Sequence, residues 1–347
     1  MPDLSRRTLI AGLAAAAASP FAVPTVVRAA APRVNVPVAV GAEHSLVYLP
    51  WDVAKALGYF EQEGLDVAIT YTKGGSEAAT ALASGSVDYS GNAMDHAIAA
   101  AERGKALVML ADFMDQPGVA VVVRPGDRDR FKTFADFKGK TLGVTSIGSG
   151  THVLAMWMAH RAGLGKDDFK VVGVGAGSTM IAAVVGNQVD GAIGTDPYVT
   201  TLIKTGRGVQ WAGLYSAADS RRALGFSSYC FTGALTRADV IQKNPERTQK
   251  IVNALVRAQK YMATHSSAQI AAALPDEFRG GTPAADWAAA YSHSRPSFTQ
   301  HGEIALDGVR AVLESNGYFL GQPAKVDPAK LFDGSFVDKA ARSVKPG

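Results

Sequence analysis

The chain has 347 residues, 47% hydrophobic and 19% charged, with a formal net charge of +4. This is too apolar for a disordered chain, and at roughly 150 residues per domain the length suggests about two domains. No basic stripe of the kind a nucleic-acid partner requires is visible: Arg221-Arg222 is the densest basic pair in the body, and Asp127 and Asp129 interrupt the run from Arg124 to Arg130. A single cysteine, Cys230, excludes an internal disulfide and a multi-cysteine metal site.

Residues 1–31 read as an export signal. Ser5-Arg6-Arg7-Thr8-Leu9 precedes a modest apolar run, and Arg28-Ala29-Ala30-Ala31 closes the segment with small residues. The apolar core is about half the roughly 20 residues needed to span a bilayer. The arginine pair resembles a twin-arginine signal; a Sec signal that carries Arg6-Arg7 is the alternative. Cleavage is expected between residues 29 and 31, which would leave a periplasmic protein.

Strands and helices then alternate. Strands are expected at 34–40, 65–71, 87–90, 107–111, 119–124, 142–144, 171–174, 189–193 and 209–214. Helices are expected at 48–63, 76–84, 94–103, 151–162, 179–185 and 197–204. After about residue 236 the pattern turns mostly helical, at 245–264, 283–291 and 303–315. The alternation argues for mainly parallel sheets.

The chain also repeats itself faintly. Gly74-Gly75-Ser76 is followed by Asp88 in Gly85-Ser86-Val87-Asp88; Ala176-Gly177-Ser178 is followed at the same spacing by Asp190 in Asn187-Gln188-Val189-Asp190, 102 residues later. Two lobes of like architecture are expected, lobe 1 from 32–115 and 227–347 and lobe 2 from 116–226. The first crossover is expected at 112–118 and the return at 220–229.

Four motifs in order resemble a known family. They are Ala54-x-x-x-Gly58-Tyr59-Phe60-x-x-Glu63-Gly64-Leu65-Asp66-Val67, Leu82-Ala83-Ser84-Gly85-Ser86-Val87-Asp88, Asp136-Phe137-Lys138-Gly139-Lys140-Thr141-Leu142-Gly143-Val144, and Asp196-Pro197. Together they are similar to the nitrate/sulfonate/taurine and thiamine-precursor-binding (NMT1/THI5-like) periplasmic solute-binding proteins of ABC importers. The resemblance implies an α/β two-lobe clamshell, the type II periplasmic binding protein fold, with a mainly parallel sheet flanked by helices in each lobe. It also implies a small anionic ligand in the cleft and ABC transporter permease subunits as partners. A monomer without a cofactor is expected.

Ligands of such folds sit at the carboxyl ends of the parallel strands, where helix N-termini offer unpaired N–H groups and partial positive charge. The loop Thr145-Ser146-Ile147-Gly148-Ser149-Gly150-Thr151-His152 fits best. It contributes Ser146, Ser149, Gly150, Thr151 and His152, with plain helix capping by Ser149 or Thr151 as the competing role. Gly75 and Ser76, Asn92 and Met94, Ser178, and His44 and Ser45 come from the other loops. Tyr48, Tyr198 and Tyr229 are candidate aromatic walls beside Asp196. No bidentate arginine clamp is evident, so hydroxyls and backbone amides would hold the charge. The ligand is expected to be a sulfonate or carboxylate, with an aromatic or other apolar body compatible with the site.

Enzyme signatures are weak. No serine stands in a G-x-S-x-G elbow, no H-E-x-x-H pair is present, and Ser178 replaces the last glycine of a dinucleotide fingerprint at 173–178. A related family branch makes the thiamine pyrimidine with a cysteine-rich iron motif, which a chain with one cysteine lacks. An exported enzyme or ligand sensor on the same fold, including thiamine-pyrimidine-related chemistry, is the alternative.

Overall fold

A computed structural model describes residues 33–345; the segment read as the export signal lies outside them. The strands are β1 (Val34–Val40), β2 (Leu65–Tyr71), β3 (Tyr89–Ala93), β4 (Leu107–Asp112), β5 (Val119–Val123), β6 (Thr141–Val144), β7 (Lys170–Gly173), β8 (Gly191–Thr195), β9 (Val209–Leu214) and β10 (Thr232–Arg237). They form two five-stranded sheets, ordered β2-β1-β3-β10-β4 and β7-β6-β8-β5-β9.

The two orders are the same pattern drawn twice. In each sheet one strand runs against the others: β10 is antiparallel to β3 and β4, and β5 is antiparallel to β8 and β9. Each reversed strand is the first one after the chain changes sheets. Each also meets a one-residue bulge in its outer neighbour, where Leu110 and Trp211 stand unpaired in the register. The faint internal repeat therefore corresponds to a structural one. Asp88 and Asp190 brace it: Asp88 accepts from Arg237 and Arg247, and Asp190 accepts from the Thr141 amide at 2.8 Å.

The helices between the strands are α1 (Leu49–Ala56), α2 (Tyr59–Gln62), α3 (Gly75–Ser84), α4 (Met94–Ala101), α5 (Gly150–Arg161), α6 (Ser178–Val185), α7 (Tyr198–Lys204) and α8 (Ala217–Leu224). After β10 come α9 (Ala238–Lys243), α10 (Pro245–Thr264), α11 (Ser267–Ala273), α12 (Ala284–Ser294), α13 (Leu306–Leu320) and α14 (Ser335–Ser343). The single helix expected at 48–63 is two, because Gly58 adopts φ 68°, a left-handed turn that a continuing helix forbids. The return crossover expected at 220–229 is partly α8, capped by the Ser216 hydroxyl. The strand expected at 189–193 starts two residues later, since Asp190 is held in the turn by Thr141.

Val119–Val123 is buried on both faces. The Val121 and Val123 side belongs to the large core that also contains the first sheet, while Ala120 and Val122 face a smaller core under α6 and α7. Burial on both faces explains the unbroken apolar run of β5. Among the described residues no helix is long and apolar enough to cross a membrane.

Candidate ligand-binding site

Segments that follow β1, β2, β3, β6 and β7 meet the end of β8 between the sheets. They enclose a narrow cavity of about 30 Å³, room for about two water molecules. Ser45, Tyr48, Gly75, His96 and Phe231 wall it from the first-sheet side; Thr145, Ser149, Gly150, Thr151 and Thr195 wall it from the second. A wider groove of about 1190 Å³ shares Ala42, Thr145 and Ala176 with the cavity and carries Ser76, Ser146, Ser178 and Tyr198 on its wall.

The N-terminus of α5 forms the second-sheet wall. Ser149 holds the N-cap position, yet its side chain does not cap the helix. It donates instead to the Ser146 carbonyl at 2.7 Å and joins Thr145 and Thr151 in a triangle of hydroxyls with 2.9 Å sides. Thr151 Oγ1 also accepts from the Thr145 amide at 3.0 Å. The expected cap by the Ser149 hydroxyl gives way to a closed network that shapes the loop, while both residues remain in the cavity wall. The Ser149 carbonyl accepts from the His152 and Val153 amides. Among the described residues the Gly150 and Thr151 amides have no protein acceptor, as the first turn of a helix leaves them, and they lie at the positive end of α5 in the cavity wall. Gly150 is a close approach: a Cβ there would lie 2.9 Å from the Phe231 ring and 3.0 Å from Asp95 Oδ1.

The opposite wall is made by the start of α4. His96 is buried, and its Nε2 has no hydrogen-bond partner. A Cβ on Gly75 would lie 2.7 Å from that nitrogen, so the glycine leaves it room. His96 Nδ1 stands 3.7 Å from Asp95 Oδ2. Burial raises the Asp95 pKa above the ordinary carboxylate range, and the neighbouring His96 partly opposes this. Burial, then the Asp95 charge, likewise pushes the Tyr48 phenol up, so it is a neutral donor in the cavity wall. The cavity is lined by hydroxyls, amides and one imidazole, with no lysine or arginine in its wall.

Other expected contacts are turned elsewhere. Asn92 donates to the Gly75 carbonyl at 3.0 Å and accepts from the Ala93 amide, so it holds the loop from behind. Met94 is fully buried and its amide bonds the Phe231 carbonyl. His44 leaves the cavity with φ 56°, and its ring fills the space beside Gly280. His152 accepts the Gly148 amide on Nδ1 at 3.0 Å and packs edge-on to Phe319; burial lowers its pKa. Asp196 is saturated by Thr200 on one oxygen and by Tyr215, Ser294 and His293 on the other. It ties β8 to α12 and has no free lone pair to aim at a ligand. Tyr229 is buried against Ser315, 2.8 Å away, and the cleft aromatic is its neighbour Phe231.

The profile of a family described as NMT1/THI5 like matches residues 44–268. The chain belongs to the NMT1/THI5-like family. A solved structure from Bordetella bronchiseptica RB50 is 30% identical, with a TM-score of 0.83 over 90% of this chain and 98% of that one. The alkanesulfonate-binding protein of Xanthomonas axonopodis pv. citri, solved bound to MOPS, shares the fold at 18% identity, with a TM-score of 0.69 over 88% of this chain and 100% of that one. A 4-amino-5-hydroxymethyl-2-methylpyrimidine phosphate synthase of Saccharomyces cerevisiae is 26% identical over 220 residues, 62% of this chain and 63% of the synthase. The chain therefore spans less than two thirds of that relative's length. The two sheets with their reversed strands are the periplasmic-binding-protein fold.

Within this NMT1/THI5-like chain, sequence reasoning missed His96, Phe231 and Thr195 as cavity walls. Thr195 follows Val189-Asp190 on β8 and was reachable from the repeat. His96 lies on α4 behind an alanine-rich face, and Phe231 precedes a strand without a clear alternation. Their convergence comes from sheet order, which local pattern does not carry.

Proposed function

We propose that the chain is an exported solute-binding protein that captures a small organic anion, a sulfonate or carboxylate with an apolar body, and delivers it to an ABC importer. The carrying observation is the pair of unpaired amides at Gly150 and Thr151, facing Tyr48 and the unpartnered His96 across the cavity. Walls drawn from both sheets mean that a ligand contacts all of them only when the sheets are together, so binding favours the closed state. The lobes divide at 32–115 with 227–347 and at 116–226, and residues 1–31 carry the chain out by the twin-arginine route. The test is a thermal-shift screen of nitrate, sulfonates and carboxylates on the full chain. A cognate anion at about 100 times its Kd adds roughly 2.7 kcal/mol to stability; no response from any of them contradicts the reading.

The synthase relatives favour a second reading, an enzyme or sensor on the same fold working on a thiamine-pyrimidine precursor. The metal ligands such chemistry would need are not assembled here: among the described residues no group of three His, Cys, Asp or Glu is placed to hold an ion, and Cys230 is buried. Appearance of a pyrimidine product on incubation would favour it.

A further inference from the structure

The cavity has a second neighbour besides the open groove. A pocket of about 470 Å³ lies among α3, α4, α5 and α13, with Ala79, Ala83, Ala99, Ala100, Val153 and Phe319 in its wall. His96 belongs to the walls of both this pocket and the cavity. Asn316, 1% exposed, also lines the pocket, and its Nδ2 has no hydrogen-bond partner. Two buried polar groups without partners thus border a hollow that small side chains have left open. Buried polar groups are ordinarily satisfied, so both point to a ligand.

We propose that the alanine-lined pocket is the subsite for the ligand's apolar body, with the acidic head at the α5 N-terminus and His96 at the junction between them. This rests on the reading of the cavity as the head-group site. A cavity of about 30 Å³ accepts a head group and little else. Anything attached to it must extend into the groove or into the pocket. The groove is wider and carries Lys73, Glu77 and Ser178 beside Tyr71 and Val174, whereas the pocket is smaller, faced by alanines of α3 and α4, and its volume lies within the range of small-molecule sites. An apolar body is covered more fully in the smaller pocket than in the wide groove. Alanines on α3 and α4 create the room: longer side chains at 79, 83, 99 or 100 would fill it. Arg103 and Lys105 stand in the pocket wall with Asp95, and the balance of these charged groups suits a ligand of net negative charge. The class selected is a monoanion with a short aliphatic or single-ring body, rather than a bare inorganic anion.

The test is titration calorimetry of the full chain with methanesulfonate, butanesulfonate and benzenesulfonate, and with acetate, pentanoate and benzoate. In at least one series affinity should rise roughly threefold to fourfold per methylene, with the ring compound also ahead of the one-carbon anion. Ala99→Leu on α4 and Ala79→Leu on α3 should each bring the ratio of long-chain to short-chain affinity close to one. Equal affinity for short and long members in wild type, or a ratio unchanged in both variants, overturns the body subsite while leaving the head-group site standing. Binding by no member of either series overturns the head-group reading, and the subsite with it.

Discussion

Ser45 donates its hydroxyl proton to Thr195 Oγ1 across 3.0 Å, joining the loop after β1 to the end of β8. Both side chains are buried, and the next residue repeats the link, with the Leu46 amide bonding the Asp196 carbonyl at 2.9 Å. These bonds connect the two sheets beside the cavity and exist only while the sheets are together. Ser45→Ala should therefore weaken ligand binding by about 1 kcal/mol, roughly fivefold. Thr195→Val should do the same, and the double variant should lose little more than either single one. Titration calorimetry on the four proteins measures this; fully additive losses would mean the hydroxyls act separately.

Gly150→Ala separates closure from folding. Alanine is the better helix former at the start of α5, but its Cβ would sit 2.9 Å from Phe231, which belongs to the opposite side of the cleft. The variant should melt no lower than wild type and bind at least about tenfold more weakly, because the close approach is lost. Ser149→Ala should behave in reverse. It opens the hydroxyl triangle and removes one of the two donors to the Ser146 carbonyl, the Ser149 amide remaining, at about 1 kcal/mol of stability, with a smaller effect on affinity.

The 145–152 loop announced itself through glycines and hydroxyls after a strand, and the structure does bring Ser149, Gly150 and Thr151 to the cavity. Their individual roles were hidden, because whether a hydroxyl faces a ligand or another hydroxyl depends on side-chain rotamers. β10 escaped notice for a related reason. Its Thr-Gly-Ala-Leu-Thr-Arg run lacks the apolar alternation of a strand, since a Cβ on Gly233 would lie 2.2 Å from the Ala111 carbonyl of β4. The neighbouring strand requires the small residue that makes the run look like a loop.

Asp95 makes anion binding depend on pH. Its carboxylate is buried beside the α5 N-terminus, and its raised pKa means that the neutral form persists to higher pH than usual. An anion at Gly150 and Thr151 is repelled by ionised Asp95 and not by the protonated acid, so affinity for a sulfonate should rise as pH falls through the Asp95 titration. Asp95→Asn should flatten that dependence and tighten sulfonate binding at pH 8, on the order of tenfold. Affinities measured from pH 5 to pH 8 on both proteins check this.

Asp52 supplies a stability signature independent of ligand. It is buried beneath Tyr71, whose hydroxyl donates to it, and burial raises its pKa to about 7. The native state therefore binds a proton that the unfolded chain, with an ordinary carboxyl, has already released. Its contribution is fully present below about pH 4 and is lost as pH rises toward 7. Asp52→Asn keeps an acceptor for Tyr71 without the buried charge. It should be more stable than wild type at pH 8, and its urea midpoint should fall less between pH 5 and pH 8.

The central claim is capture without chemical change at the α5 N-terminus. The direct measurement is to saturate the full chain with the tightest anion from the calorimetric series, hold the complex for many hours, then denature it and quantify the small molecule by mass spectrometry. One molecule per chain, recovered intact, is expected. Steady conversion of the anion into a new product would contradict it.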